Sequence, residues 1–270
     1  MATPRSELTP EETAFYHREG YLVVECITTP EEIALVREIY DRLFAARAGR
    51  AEGNQFDLAG PDDEDDAASL PQILGPSRYA PELLDTMFRR NATAIARQLL
   101  GPDANAQGDH AILKPAHHGA STPWHQDEAY WSPDLDYNSL SVWIPLQEAT
   151  LENGCMQFIP GSHKMEVQPH HSINNDPRVH GLEIDHVDAS TAVACPLPPG
   201  GATFHHSRTL HYAGPNRSAM PRRAYILGCG TLPTKRTQPR RFPWMEKKRT
   251  ARQARADAWQ QATGASGDRA

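Results

Sequence analysis

The chain predicts a mainly β protein with flanking helices: a double-stranded β-helix, the cupin-like jelly roll, braced by N-terminal helices. Up to about residue 107 the apolar residues recur at helical spacing between marked starts and stops. From Gly108 onward they fall in short alternating runs broken by Gly, Pro, Asn and Asp. A length of 270 residues suits one sizeable core. We therefore expect a single domain over 1–270, with helical support at 1–107, the jelly-roll core at 108–231 and a basic C-terminal tail at 232–270.

Thr9-Pro-Glu-Glu opens the first helix, with Thr9 as N-cap, Pro10 in the first turn and Glu12 closing a capping box, and Gly20 ends it. A short strand is expected over 21–24. Thr29-Pro-Glu-Glu repeats the device and starts a helix with Ile33, Val36, Tyr40 and Leu43 on one face. The stretch 53–70 is acidic, and without EF-hand spacing it reads as a solvated loop. A third helix is expected over 81–100, with Leu84, Met87, Phe88, Asn91, Ile95 and Leu99 on its buried face. Strands follow at 111–114, 139–146, 156–159, 192–197, 202–205 and 223–228. In 139–146, Leu140, Val142, Ile144 and Leu146 take one face and Trp143 the other. Between 164 and 190 the periodicity lapses and the segment reads as a lid-like insertion. The tail, rich in Lys and Arg from Arg236 to Arg255, reads as a helix solvated on one face and paired with the acidic loop.

Composition narrows the function. Lys plus Arg number 27 against 34 Asp plus Glu, a net charge of −7, so there is no electrostatic footprint for nucleic acid or an anionic membrane. The expected partner is a small molecule, and the oligomeric state is undetermined. Cys26, Cys155, Cys195 and Cys229 show no C-x-x-C spacing and read as thiols of a reducing compartment. With no apolar leader and no run long enough for a membrane span, a soluble cytoplasmic protein is expected. No G-x-S-x-G, Walker A or G-x-G-x-x-G motif is present.

The chemistry concentrates at Trp124-His-Gln-Asp. In an extended segment His125 and Asp127 project to one side, Trp124 and Gln126 to the other. His211, in Thr209-Leu-His-Tyr-Ala-Gly-Pro-Asn-Arg, is the candidate third ligand. Two histidines and one carboxylate with open positions opposite form the facial set of non-haem Fe(II) oxygenases. Arg222 follows across the turn at Gly214-Pro215, and a buried arginine there suits the distal carboxylate of 2-oxoglutarate. Arg223 points to the opposite face.

His125-Gln-Asp, the run Glu152-Asn-Gly-Cys-Met-Gln-Phe-Ile-Pro-Gly-Ser-His, and Phe204-His-His-Ser-Arg-Thr-Leu-His-Tyr-Ala-Gly-Pro-Asn-Arg together resemble the phytanoyl-CoA dioxygenase family of Fe(II)/2-oxoglutarate oxygenases. The resemblance spans about Thr13 to Thr231. It implies a single jelly-roll oxygenase domain with Fe(II) at His125, Asp127 and His211, 2-oxoglutarate on Arg222, and O₂ as oxidant. It also suggests that Gln126 and Trp143 line the co-substrate pocket. Lys114 is a further candidate there, and Tyr130 and Trp131 are candidate substrate-facing aromatics. An aspartate at the carboxylate position implies hydroxylation of an unactivated C–H, with release of succinate and CO₂, or another oxidative outcome, rather than halogenation. Ala213 departs from the pattern, which often has a hydroxyl residue two positions after the distal histidine. Two other readings use the same barrel: a cupin-like metal hydrolase or isomerase without 2-oxoglutarate, and a catalytically silent binding protein.

Overall fold

The computed structural model describes residues 3–63, 68–117 and 120–264. The first helix, α1 (Pro10–Glu19), has the expected box: Thr9 Oγ1 accepts the Glu12 N–H at 3.2 Å and the Glu12 carboxylate accepts the Thr9 N–H at 2.9 Å. Gly20 stops it at φ +81°, a left-handed conformation that glycine adopts without strain. Strand β1 (Tyr21–Val24) and helix α2 (Pro30–Ala45) follow, with Ile33, Val36, Ile39, Tyr40 and Leu43 of α2 buried.

The third expected helix is broken. The stretch 81–100 divides into a 3-10 turn over Pro81–Asp85 and a helix, α4 (Met87–Leu100), and a short helix, α3 (Pro76–Tyr79), precedes it. Thr86 causes the break: it is extended and its side chain accepts the Arg89 N–H at 3.2 Å, capping α4. Leu84, placed by the sequence on the buried face, is 47% exposed. Glu32 of α2 supplies a second cap, its carboxylate accepting the N–H groups of Met87 and Phe88 at 2.5 and 2.8 Å.

The acidic stretch is not a solvated loop. It supplies β2 (Gln55–Asp57), which pairs with β3 (Pro71–Leu74). Asp57 is buried and accepts N–H bonds from Ala59, Ser69 and Leu70, closing the turn between the two strands. Asp62 is buried between Arg50, at 2.5 Å, and Arg255 of the tail. The expected pairing of tail with acidic segment therefore exists, through a buried aspartate; Glu64, Asp65 and Asp66 lie outside the described residues.

The remaining strands are β4 (Asn105–Lys114), β5 (Thr122–His125), β6 (Leu135–Asp136), β7 (Ser139–Pro145), β8 (Met156–Phe158), β9 (His171–Ser172), β10 (Leu182–Glu183), β11 (Val193–Cys195), β12 (Ala202–His206), β13 (His211–Ala213), β14 (Arg222–Gly230) and β15 (Thr234–Lys235). Seven form an antiparallel main sheet in the order β1-β12-β7-β14-β4-β3-β2, and four form a second sheet, β11-β8-β13-β5. Alternation along β7 divides the core as expected. Leu140, Val142, Ile144 and Leu146 face the helices with Val36, Phe88, Ile95 and Phe204, whereas Trp143 faces the second sheet with Ile226, Met156 and Phe158.

Phe204 is fully buried on the helix-facing side. Phe204→Ala is expected to cost about 3–5 kcal/mol of stability, read by urea unfolding; a loss below about 1 kcal/mol would contradict this packing.

The insertion at 164–190 contains structure the sequence did not suggest. The β9–β10 hairpin docks on β5 through the Ile184 N–H to the Trp124 carbonyl at 3.1 Å. The tail, with α5 (Pro243–Lys247) and α6 (Ala251–Thr263), straps over it: Lys248 donates to the His180 carbonyl, and the Trp244 indole donates to the Ala129 carbonyl at 2.9 Å. Among the described residues no helix is long and apolar enough to cross a membrane.

Candidate active site

Strands β5 and β13 of the second sheet place His125 directly opposite His211, with ring centroids 4.1 Å apart. Asp127 is not itself on a strand. β5 ends at His125, Gln126 remains extended (φ −122°, ψ 133°), and Asp127 begins a 3-10 turn. One further extended residue is enough to preserve the alternation, so the carboxylate reaches the same side as His125. Asp127 Oδ1 lies 3.4 Å from His211 Nε2 and 3.8 Å from His125 Nε2. One ligand atom from each of the three residues falls within a 4.8 Å cluster. Each histidine is oriented by its other nitrogen: Nδ1 of His125 donates to the Pro123 carbonyl at 2.7 Å, and Nδ1 of His211 to the Thr209 carbonyl at 2.9 Å. That turns both Nε2 atoms toward the carboxylate, the arrangement of metal-binding imidazoles. The donor set fits Fe(II).

The electrostatics suit a cation. Burial, reinforced by the His211 charge, pushes His125 down to about 3, so its imidazole is neutral. Burial also acts to lower His211, but the Asp127 charge and the hydrogen bonds to Asp127 and the Thr209 carbonyl outweigh it and raise the group. Burial works to raise Asp127, yet His211 and His205 hold it well below the carboxylate range. Below the raised value of His211 a metal ion must therefore displace a proton from it. Metal affinity is expected to fall as pH drops through the raised value of His211, by about tenfold per pH unit below it. Mn(II) titrations between about pH 8 and pH 5.5 check this; an affinity constant over that range would contradict it.

Further along the main sheet, Arg222 of β14 pairs in register with Lys114 of β4. Both are 1% exposed, and no carboxylate among the described residues pairs with either. The Arg222 guanidinium lies 5.4 Å from the centre of the Trp143 ring, and its Nε and Nη1 have no hydrogen-bond partner. Burial pushes it down to about 10, so it keeps its charge at neutral pH. Lys114 Nζ donates to the carbonyls of Ala120 at 3.0 Å and Ala213 at 3.2 Å, and burial followed by the Arg222 charge lowers it well below its ordinary value. Arg223 points the other way and pairs with Asp41 at 2.5 Å.

The family model described as Phytanoyl-CoA dioxygenase (PhyH) matches residues 16–224. The chain belongs to the phytanoyl-CoA dioxygenase family. A protein of Stutzerimonas stutzeri named "Probable alpha-ketoglutarate-dependent hypophosphite dioxygenase" is 28% identical over 223 residues, covering 81% of this chain and 77% of that protein. Among solved structures, EvdO2 from Micromonospora carbonacea var. aurantiaca, complexed with 2-oxoglutarate, is 41% identical with a TM-score of 0.75, covering 88% of this chain and 97% of its own. SnoK, a non-heme alpha ketoglutarate dependent carbocyclase from nogalamycin biosynthesis, superposes with a TM-score of 0.69 over 87% of this chain and 90% of its own; at 22% identity it shares the fold. This phytanoyl-CoA dioxygenase family member is an Fe(II)- and 2-oxoglutarate-dependent dioxygenase.

The other sequence-derived candidates divide. Gln126, expected in the co-substrate pocket, fastens the insertion to the strand end. Its side-chain oxygen accepts the Gln168 N–H at 2.7 Å, its amide nitrogen donates to the Arg208 carbonyl at 2.8 Å, and its backbone N–H donates to His170 at 3.1 Å. The reason is the same alternation that aims His125 and Asp127 inward. Tyr130 meets His125 edge-on at 6.1 Å and stacks on His180 of the insertion, while its hydroxyl accepts the Leu182 N–H at 2.7 Å. Trp131 packs against Tyr137 at 4.8 Å, and none of its described contacts reaches the triad. Sequence reasoning missed Ser141 and His205, which both contact Asp127. The alternation that assigned Trp143 inward also assigns Ser141 inward; choosing His205 over His206 required the register of β12 on β7.

Proposed function

We propose that this dioxygenase hydroxylates an unactivated C–H of a small molecule, with iron held by His125, Asp127 and His211 and the distal carboxylate of 2-oxoglutarate held by Arg222. The buried Arg222–Lys114 pair carries the reading. Two adjacent basic groups shielded from water and lacking an acid are costly to bury in charged form, and a dianionic ligand offsets that cost. Iron and 2-oxoglutarate, when bound, supply the O₂-dependent oxidation, with succinate and CO₂ as co-products.

The protein's part is binding, orientation and exclusion of water. Arg222 offers two unused donors to a carboxylate, and Trp143 covers the guanidinium face. Lys114, beside the Ala213 carbonyl, supplies the charge-assisted contact that a hydroxyl side chain at position 213 would otherwise make. Asp127 occupies the position that a halide would need, which favours hydroxyl transfer. The insertion, fastened by Gln126 and Tyr130, acts as the lid that shapes substrate choice. Residues 1–270 act as one oxygenase domain, and the buried thiols of Cys155, Cys195 and Cys229 fit a reducing, cytoplasmic setting.

The test is a small-molecule screen for O₂ uptake above the substrate-free rate, followed by mass analysis of products. The reading expects a product heavier by one oxygen atom. A product that has only lost hydrogen, or been rearranged at constant mass, would replace hydroxylation with another oxidative outcome.

A further inference from the structure

We propose that Ser141 and His205 form a two-point seat for the outer oxygen of Asp127, holding the carboxylate so that Oδ1 would be the oxygen presented to a metal ion. The proposal deepens the triad reading and rests on it. The two carboxylate oxygens have separate surroundings. Oδ1 faces the Nε2 atoms of His125 and His211 at 3.8 and 3.4 Å. Oδ2 accepts a hydrogen bond from Ser141 Oγ at 2.6 Å and lies 3.3 Å from His205 Nε2.

The seat is a product of strand register. Ser141 of β7 and His205 of β12 are direct cross-strand partners, so both side chains leave the main sheet at one spot on its inner face. The two histidine ligands come from the second sheet, across the interior. Asp127 therefore spans the two layers, one oxygen toward the histidines and one toward the main sheet. A carboxylate free to turn would chelate through both oxygens and occupy a position that the co-substrate or O₂ needs.

His205 has little folding reason to be a histidine. It is 2% exposed, packed 5.2 Å from Phe158 and 4.4 Å from His211, and neither ring nitrogen has a well-aligned hydrogen-bond partner. Nε2 lies 3.3 Å from Asp127 Oδ2 without an aligned hydrogen bond. A phenyl ring of similar shape would fill the space with no polar atom to desolvate. A buried imidazole kept there indicates a task at the carboxylate rather than in the core.

The experiment is anaerobic Mn(II) titration followed by electron paramagnetic resonance, with Ser141→Ala, Ser141→Thr, His205→Phe and Asp127→Ala, and thermal unfolding of each metal-free protein. Ser141→Ala and His205→Phe are each expected to weaken Mn(II) binding about tenfold or more without lowering the unfolding midpoint. Ser141→Thr, which keeps the hydroxyl, is expected to bind like wild type, and Asp127→Ala to lose saturable binding. If Asp127→Ala loses binding while Ser141→Ala and His205→Phe leave affinity unchanged, the seat is overturned and the triad stands. If Asp127→Ala binds Mn(II) like wild type, the triad reading falls first.

Discussion

Arg222→Ala is expected to weaken 2-oxoglutarate binding at least about thirtyfold, because truncating one partner of a buried charge pair costs about 2–5 kcal/mol. The effect is large because nothing nearby can substitute. Arg222 is 1% exposed, so water does not replace the lost donors, and Arg223 is committed to Asp41 on the opposite face of β14. Lys114 remains but is a point charge already donating to two carbonyls, so it cannot reproduce a planar two-bond grip. Metal binding in Arg222→Ala is expected to stay within about twofold of wild type, since neither triad histidine nor Asp127 bonds to Arg222. Equilibrium titration of the Fe(II) protein with 2-oxoglutarate reads the first quantity and Mn(II) titration the second. Unchanged 2-oxoglutarate affinity in the variant would move the co-substrate elsewhere.

Asp127→Ala is expected to reduce metal affinity more than about a hundredfold, beyond the range produced by changes outside the ligand shell. Asp127 is the one carboxylate in the triad cluster and the group that stabilises a cation there. Without it, His125, His205 and His211 remain close together, their rings 4.1 and 4.4 Å apart around His211, with no anion between them. The same variant carries a stability signature in the metal-free protein. His211 is raised by Asp127 in the folded state, so their interaction stabilises the fold below the ordinary histidine value and is lost as pH rises through the raised one. Asp127→Ala should therefore lower the unfolding midpoint more at about pH 5.5 than at pH 8. Equal losses at both values would mean that His211 is not protonated against Asp127.

Much of this architecture is legible in the sequence because local rules and global packing agree. Thr9 and Thr29 each sit before Pro and Glu residues that have no better use than a helix start, and Leu140 to Leu146 alternate cleanly because one side of β7 faces the helices. His125 and Asp127 are legible as a pair because their two-residue spacing survives the end of the strand at His125. The failures have physical causes too. Thr86 carries a cap signal inside an otherwise continuous helical pattern, where periodicity hides a break. Asp57 and Asp62 look solvated by composition, and only tertiary contacts show that they bond to backbone N–H groups and to arginines distant in sequence. Gln126 sits beside His125 and Asp127 in the chain and takes the opposite side, as strand parity requires, with partners that only the fold reveals. Ser141 and His205 are united by a register between strands far apart in sequence, which no local pattern encodes.

The most direct test of the central claim, that His125, Asp127 and His211 hold iron beside a 2-oxoglutarate seat at Arg222, is an anaerobic titration of the Fe(II) protein with 2-oxoglutarate, read by visible absorption of the chelate. The wild-type protein should develop a saturable charge-transfer band, Arg222→Ala the same band only at far higher 2-oxoglutarate, and Asp127→Ala none. A wild-type protein that binds Fe(II) yet develops no band, or an Arg222→Ala variant that saturates at the wild-type concentration, would contradict it.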